Sequence, residues 1–179
     1  GWNSQPTRQV IFEDVRIPAS RRVGAEGDGF RFAMAGLDGG RLNIAACSLG
    51  GMQDALDRAL AYVKDRKQFG QAIADFQATQ FKLADMETET QAARVMLYNA
   101  AQELDAKSPT ATRWCAMAKR LVTDTGFKVA NDALQLHGGY GYLSDYGVER
   151  IVRDLRVHQI LEGTNEVMRV IISRDLLRQ

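Results

Sequence analysis

The run His158-Gln159-Ile160-Leu161-Glu162-Gly163-Thr164-Asn165-Glu166 sets one carboxylate on a glycine-containing turn, between an apolar Ile-Leu pair and the start of a helix. Apolar surroundings disfavour the charged carboxylate and raise its pKa, which is what a base needs to take a weakly acidic proton from carbon. Glu162 is the first candidate for chemistry. The plainer reading of the same residues is a loop carboxylate at a helix N-terminus, with Thr164 as cap and Glu166 in the first turn, both suited to the helix dipole.

Three other constellations carry a double reading. In Gln135-Leu136-His137-Gly138-Gly139-Tyr140-Gly141-Tyr142 the glycines let backbone approach a ligand and point amides at a phosphate, or they end a helix and turn the chain. Asp65-Arg66-Lys67-Gln68-Phe69-Gly70, followed by Phe76-Gln77, projects cations and amides that could grip a pyrophosphate, or cations that merely complement a helix C-terminus. Asp38-Gly39-Gly40-Arg41 offers close approach and a fixed positive charge, or a solvated arginine beside a helix irregularity. His137 and His158 read as partly buried hydrogen-bonding residues. With no second Cys or His at ligand spacing, no metal site is expected.

The elements that must position these groups are helical. Val10, Phe12 and Val15, spaced among polar residues before Pro18, predict a lone strand over Thr7–Val15 that needs a partner for its backbone groups. Helices are predicted over Asp28–Arg66 with Asp28 as N-cap, Thr79–Leu104, from Ser108-Pro109 to His137, Tyr146–Arg153, and Asn165–Leu177. In the first, Gly36, Gly39, Gly40, Gly50 and Gly51 mark a bend or a close contact. In the second, Phe81, Ala84, Thr88, Ala92, Val95, Met96, Ala100 and Leu104 follow the rhythm of one buried face. In the third, Trp114, Met117, Ala118, Leu121, Val122, Val129, Ala133 and Leu136 form the stripe. The expectation is an all-α, up-and-down helical bundle over residues 25–179, preceded over residues 1–24 by a strand remnant.

Composition fits one soluble globular unit, with 179 residues, 45% of them hydrophobic and 25% charged. A formal charge of +1 makes no long-range field, so nucleic acid and anionic membrane are poor candidates as main partners. No apolar run approaches the roughly 18 residues of a membrane span, and the N-terminus lacks signal-peptide blocks. Cys47 and Cys115 read as buried thiols of a reducing compartment.

Taken in order, Phe12-Glu13-Asp14-Val15-Arg16-Ile17-Pro18, Gly27-Asp28-Gly29-Phe30, Arg66-Lys67-Gln68-Phe69-Gly70, Gln135-Leu136-His137-Gly138-Gly139-Tyr140-Gly141, Arg153-Asp154 and Ile160-Leu161-Glu162-Gly163-Thr164 resemble the C-terminal part of the flavin-dependent acyl-CoA dehydrogenases over essentially the whole chain. The resemblance implies FAD across a subunit interface of a homotetramer or homodimer, and an acyl-CoA substrate, short and branched such as isobutyryl-CoA. It also implies electron-transfer flavoprotein as acceptor and a bacterial cytoplasm or mitochondrial matrix as location. It makes Glu162 the base, assigns Arg66, Phe76 and Gln77 to the FAD of a neighbouring subunit, and lines its ADP portion with Gln135, Leu136, His137, Gly138 and Gly139. Thr164, Asn165 and Glu166 would meet the cofactor again, while Asp38, Gly39, Gly40, Arg41 and Arg174 would face the acyl-CoA. Some members carry the base on the first helix just before the family's arginine. This chain has Gly40 there, which leaves the chemistry to Glu162. The family's preceding domains are not in this chain, so by itself it is expected to bind FAD weakly and turn over little. A helical scaffold with idle site residues is the other reading.

Overall fold

The computed structural model describes residues 1–178. Among them are five α-helices: α1 (Gly29–Asp65), α2 (Gln77–Asp105), α3 (Ala111–His137), α4 (Val148–His158) and α5 (Asn165–Leu176). Between α1 and α2 lies a two-stranded antiparallel hairpin, β1 (Lys67–Gln68) and β2 (Gln71–Ala72). Its loop residues Phe69 and Gly70 have φ of 54° and 83°, the pair of positive values that a tight two-residue hairpin turn requires. Phe69-Gly70 therefore reverses the chain, whereas α1 itself stops at Asp65 as Arg66 turns extended. Asp28 stands at the N-cap of α1, but its carboxylate accepts from the Ala25 amide at 3.0 Å and pairs with Arg31 instead of capping.

Side-chain pairings give the helix directions. Asp38 meets Thr112, Ser48 lies against Gly126, and Tyr62 stacks on His137, so α1 and α3 run parallel. Lys82 pairs with Asp132 and Lys128 with Glu89, which sets α2 antiparallel to α3. The result is the up-and-down arrangement expected, with α3 touching every other helix. Its core is rich in small residues, with Ala45, Ala55, Ala59, Ala93, Ala130 and Ala133 interleaved with Met52, Leu56, Met86, Val122 and Val129. Small side chains let the helix axes approach and the larger ones fill what remains. At Gly51 the approach is close enough that a Cβ would come within 2.8 Å of Leu155 on α4.

Several expectations are corrected. The buried face of α2 is Met86, Thr90, Ala93, Leu97 and Ala100. Of the expected stripe only Ala100 belongs to that face, and Phe81 and Val95 are 61% and 68% exposed. Both faces are spaced for a helix, and packing against α1 and α3 selects the one bearing Met86 and Leu97. Along α3 the buried set includes Cys115, Lys119, Thr123 and Gly126, while Leu121 turns outward. Among the described residues Thr7–Val15 forms no strand and none pairs with it, and Val10, Phe12 and Val15 are exposed. Cys115 is buried as expected, but Cys47 is exposed. No helix among the described residues is long and apolar enough to cross a membrane.

Candidate functional site

Glu162 lies in the loop joining α4 to α5. The Ile160 and Leu161 amides donate back to the Val157 carbonyl at 2.9 and 3.0 Å, continuing the end of α4. The chain then enters the left-handed region twice in succession, with φ of 55° at Glu162 and 86° at Gly163. Gly163 adopts this freely, whereas at Glu162 it costs about 1–2 kcal/mol. Thr164 caps α5 by accepting from the Val167 amide at 3.4 Å, as the sequence suggests. Glu166 is exposed in the first turn, and hydrogen bonds from its own amide and the Thr164 hydroxyl hold its carboxyl below the usual range.

This turn lays the Glu162 carboxylate over Gly40 of α1, where a Cβ at position 40 would stand 2.5 Å from Oε2. Only glycine leaves that space. The carboxylate borders a cavity of about 370 Å³ walled by Ile44, Val157, Leu161 and the N-terminal residues Trp2, Gln5 and Thr7. Expected apolar shielding is one-sided: Ile160 turns outward and Glu162 is exposed within the single chain.

Beneath the turn is a buried polar network. Lys119 of α3 is 0% exposed and its Nζ donates to the Gly163 carbonyl and to Asn165 Oδ1, both at 2.8 Å. Asn165 Nδ2 donates to Thr123 Oγ1 at 2.9 Å and Asp124 Oδ1 at 2.7 Å. Asp124 also accepts from Gln159 Nε2 at 2.8 Å, and the Gln159 carbonyl accepts from the Asn165 amide at 3.0 Å. Burial pulls the Lys119 ammonium down to about 8, against Asp124, Glu166 and Glu162, which raise it. The Asn165 side chain, expected to meet a cofactor, is thus turned inward and satisfied. Lys119 was missed, although a lysine spaced four residues from Cys115 and three from Val122, on an otherwise apolar stripe, is the signal that could have found it. His158 is buried and hydrogen-bonds Ser48 Oγ through Nδ1 at 2.7 Å, matching its expected structural role. Burial lowers its pKa.

Arg41 does not project into solvent. It is buried, paired with Asp38 at 2.6 Å, and Asp38 in turn accepts from the Thr112 hydroxyl at 2.6 Å. Asp38 and Arg41 therefore clamp α1 to α3 beside the turn, with Arg41 Nε left unpartnered. Gly39 faces open space, and Arg174 is exposed in the last turn of α5, roughly 14 Å along that helix from Asn165.

Two of the predicted constellations meet at the other end of α1. Arg66, Gln135, Leu136, His137, Gly138 and Gly139 line one groove of about 410 Å³ together with Tyr62 and Tyr140. The Arg66 guanidinium lies 5.2 Å from the centre of the Tyr140 ring, and Tyr62 stacks on His137 at 4.3 Å. His137 Nδ1 bonds the Ala133 carbonyl at 2.8 Å, which fixes the ring. Both α1 and α3 end here, so their dipoles oppose an anion, and Arg66 with the glycine backbone must supply the attraction. Phe76 packs edge-on against Phe69 at 6.2 Å and Gln77 opens α2; neither lines the groove. From Gly40 to Arg66 the rise of α1 amounts to roughly 39 Å.

Residues 27–177 match the family described as acyl-CoA dehydrogenase, C-terminal domain. The mitochondrial isobutyryl-CoA dehydrogenase of Dictyostelium discoideum is 60% identical over 176 residues, covering 98% of this chain and 42% of that protein. Among solved structures, butyryl-CoA dehydrogenase of Megasphaera elsdenii superimposes with a TM-score of 0.90 at 44% identity, over 94% of this chain and 44% of that one. The FAD complex of PigA does so with a TM-score of 0.86 at 32% identity, again over 94% and 44%. The chain spans less than half the length of these relatives. Family match, sequence identity and fold agree: the chain belongs to the acyl-CoA dehydrogenase family, matching its C-terminal domain.

Proposed function

We propose that this chain is the catalytic and oligomerising part of an FAD-dependent acyl-CoA dehydrogenase acting on a short, branched acyl-CoA such as isobutyryl-CoA, with Glu162 as the base. The observation that carries the reading is the Glu162 carboxylate, held by a left-handed turn over a gap that only Gly40 provides. Positioned groups in uncommon backbone conformations cluster at functional sites.

In this reading Glu162 removes the α-proton of the thioester. Its backbone amide, which has no backbone acceptor among the described residues, donates to the thioester oxygen as enolate charge develops. Ile44, Val157 and Leu161 exclude water from one side of the acyl group. FAD, when bound, supplies the redox chemistry by accepting the β-hydrogen as hydride. The groove at Arg66 fits part of such a dinucleotide, with a cation stacked on an aromatic ring and paired glycines without side chains. Arg66 and Gln135 to Gly139 would hold that part, with Phe76 and Gln77 beside it, while Thr164 and Glu166 would meet a flavin at the other end of α1. The span of α1 between these ends exceeds a flavin dinucleotide's reach, which supports assigning them to different cofactors in a homotetramer or homodimer. Exposed Phe81, Val95 and Tyr98 on α2 support such assembly. Asp38 and Arg41 would shape the acyl-CoA side from within, with Arg174 outside.

Residues 1–24, carrying exposed Val10, Phe12, Val15, Ile17 and Val23, read as the end of a β-domain, and residues 25–179 as the bundle. Electron-transfer flavoprotein is the proposed acceptor, in a mitochondrial matrix or bacterial cytoplasm. In the full-length enzyme, Glu162→Gln is expected to retain FAD and ligand binding and to lose anaerobic flavin bleaching by isobutyryl-CoA. Near-normal bleaching would remove Glu162 from the reaction.

A further inference from the structure

We propose that Lys119 is a positioning residue for the base: its buried amine, bonded to the Gly163 carbonyl and the Asn165 side chain, holds the turn that lays Glu162 over Gly40. The proposal rests on the reading of Glu162 as base. No hydrogen bond or ion pair of the Glu162 carboxylate occurs among the described residues, so its aim depends on the backbone that carries it. That backbone is in the left-handed region at two successive residues, the first of them not glycine. Such a conformation persists only where its surroundings over-determine it.

Lys119 is the group that does so. Its Nζ reaches the carbonyl immediately after Glu162 from the core side, and its second acceptor, Asn165, is tied to Thr123 and Asp124 of the same helix α3. Gln159, on the other side of the turn, is tied to Asp124 as well. Both flanks of the turn are thereby fastened to one turn and a half of α3, with Lys119 bonded to its middle. For packing alone, an apolar side chain of the same length would avoid the cost of burying an amine. Charged or neutral, the amine keeps at least two N–H donors for its two acceptors. The hold therefore survives its titration, which burial brings down to about 8.

The test compares Lys119→Met and Lys119→Gln with the unaltered full-length, flavin-loaded enzyme. Hydrogen exchange is followed at the Leu161 and Asn165 amides, which donate to the Val157 and Gln159 carbonyls. FAD content and steady-state kinetics are measured beside it. In Lys119→Met, exchange at these amides is expected to rise at least about tenfold with the core of α1 and α3 unchanged. FAD content should hold, and kcat should fall roughly 10- to 100-fold with KM within about threefold, as for a misplaced catalytic group. Lys119→Gln, which keeps a donor, should fall between. Unchanged exchange at the turn overturns the proposal whatever the turnover. So does an equal rise throughout the bundle in both variants, which would make Lys119 a general stability residue. Failure of the unaltered enzyme to bleach with acyl-CoA would sink the base assignment instead, and exchange would still decide whether Lys119 holds the turn.

Discussion

The two ends of α1 carry the two proposed sites, built on opposite plans. At Gly40 the neighbouring turn is over-determined: a strained residue, a glycine gap below its carboxylate, and a buried lysine and asparagine with a half-buried aspartate fastening the backbone from inside. At Arg66 the groove is a surface of stacked rings and glycines, with the cation resting on Tyr140 and the His137 ring pinned by its hydrogen bond to the Ala133 carbonyl. A base must meet one particular hydrogen within a fraction of an ångström, whereas a phosphate cradle works through longer-range attraction and tolerates adjustment. Polar groups are therefore invested beneath the first site and displayed at the second.

Three substitutions would break or sharpen this contrast. The largest effect concerns stability against pH. Lys119 titrates near 8 in the folded chain and near 10.5 when unfolded, so between these values the unfolded state holds more protons and stability rises with pH, by at most about 3 kcal/mol. Cys115, pushed up to about 11 by burial, works the other way between 9 and 11. The difference between unaltered protein and Lys119→Met, measured by denaturant unfolding from pH 7 to 10.5, isolates the lysine; a flat difference would mean the amine is not desolvated. Next, Gly40→Ala is expected to cut turnover about 10- to 100-fold by displacing the carboxylate. Stability should hold or rise by about 0.5–1 kcal/mol, because alanine favours the helix and only the end of a flexible side chain must move. Thermal unfolding beside kcat reads both. Smallest is Arg66→Gln, expected to weaken FAD binding about tenfold, by fluorescence titration, while leaving exchange at the Glu162 turn unchanged.

Much of this contrast was legible in the sequence, and the rest fails for identifiable reasons. His137-Gly138-Gly139 and Thr164 punctuate the helices through local chemistry, so those ends and the position of Glu162 follow from neighbouring residues alone, whereas α3 starts at Ala111 with Thr110, not Ser108, at its N-cap, and α4 runs from Val148 on past Arg153 to His158. The face of α2 does not, because Phe81-Ala84-Ala92-Val95 and Met86-Ala93-Leu97-Ala100 are both apolar at helical spacing and only the partners α1 and α3 choose. Asn165 and Arg41 read as outward-facing polar groups because their partners, Lys119 and Asp124 for one and Asp38 locked by Thr112 for the other, come together only in the fold. The Thr7–Val15 alternation is a sound strand signal, but a ladder needs a partner and none pairs with it among the described residues.

The most direct measurement is exchange of the α-hydrogen of isobutyryl-CoA with D₂O, followed by mass spectrometry in the full-length, flavin-loaded enzyme and its Glu162→Gln variant. The expected result is exchange in the unaltered enzyme and a loss of roughly a thousandfold in the variant, the scale of a lost general base, with ligand still bound. Exchange at the unaltered rate in Glu162→Gln would mean that another group takes the proton, and that the turn over Gly40 is not the catalytic centre.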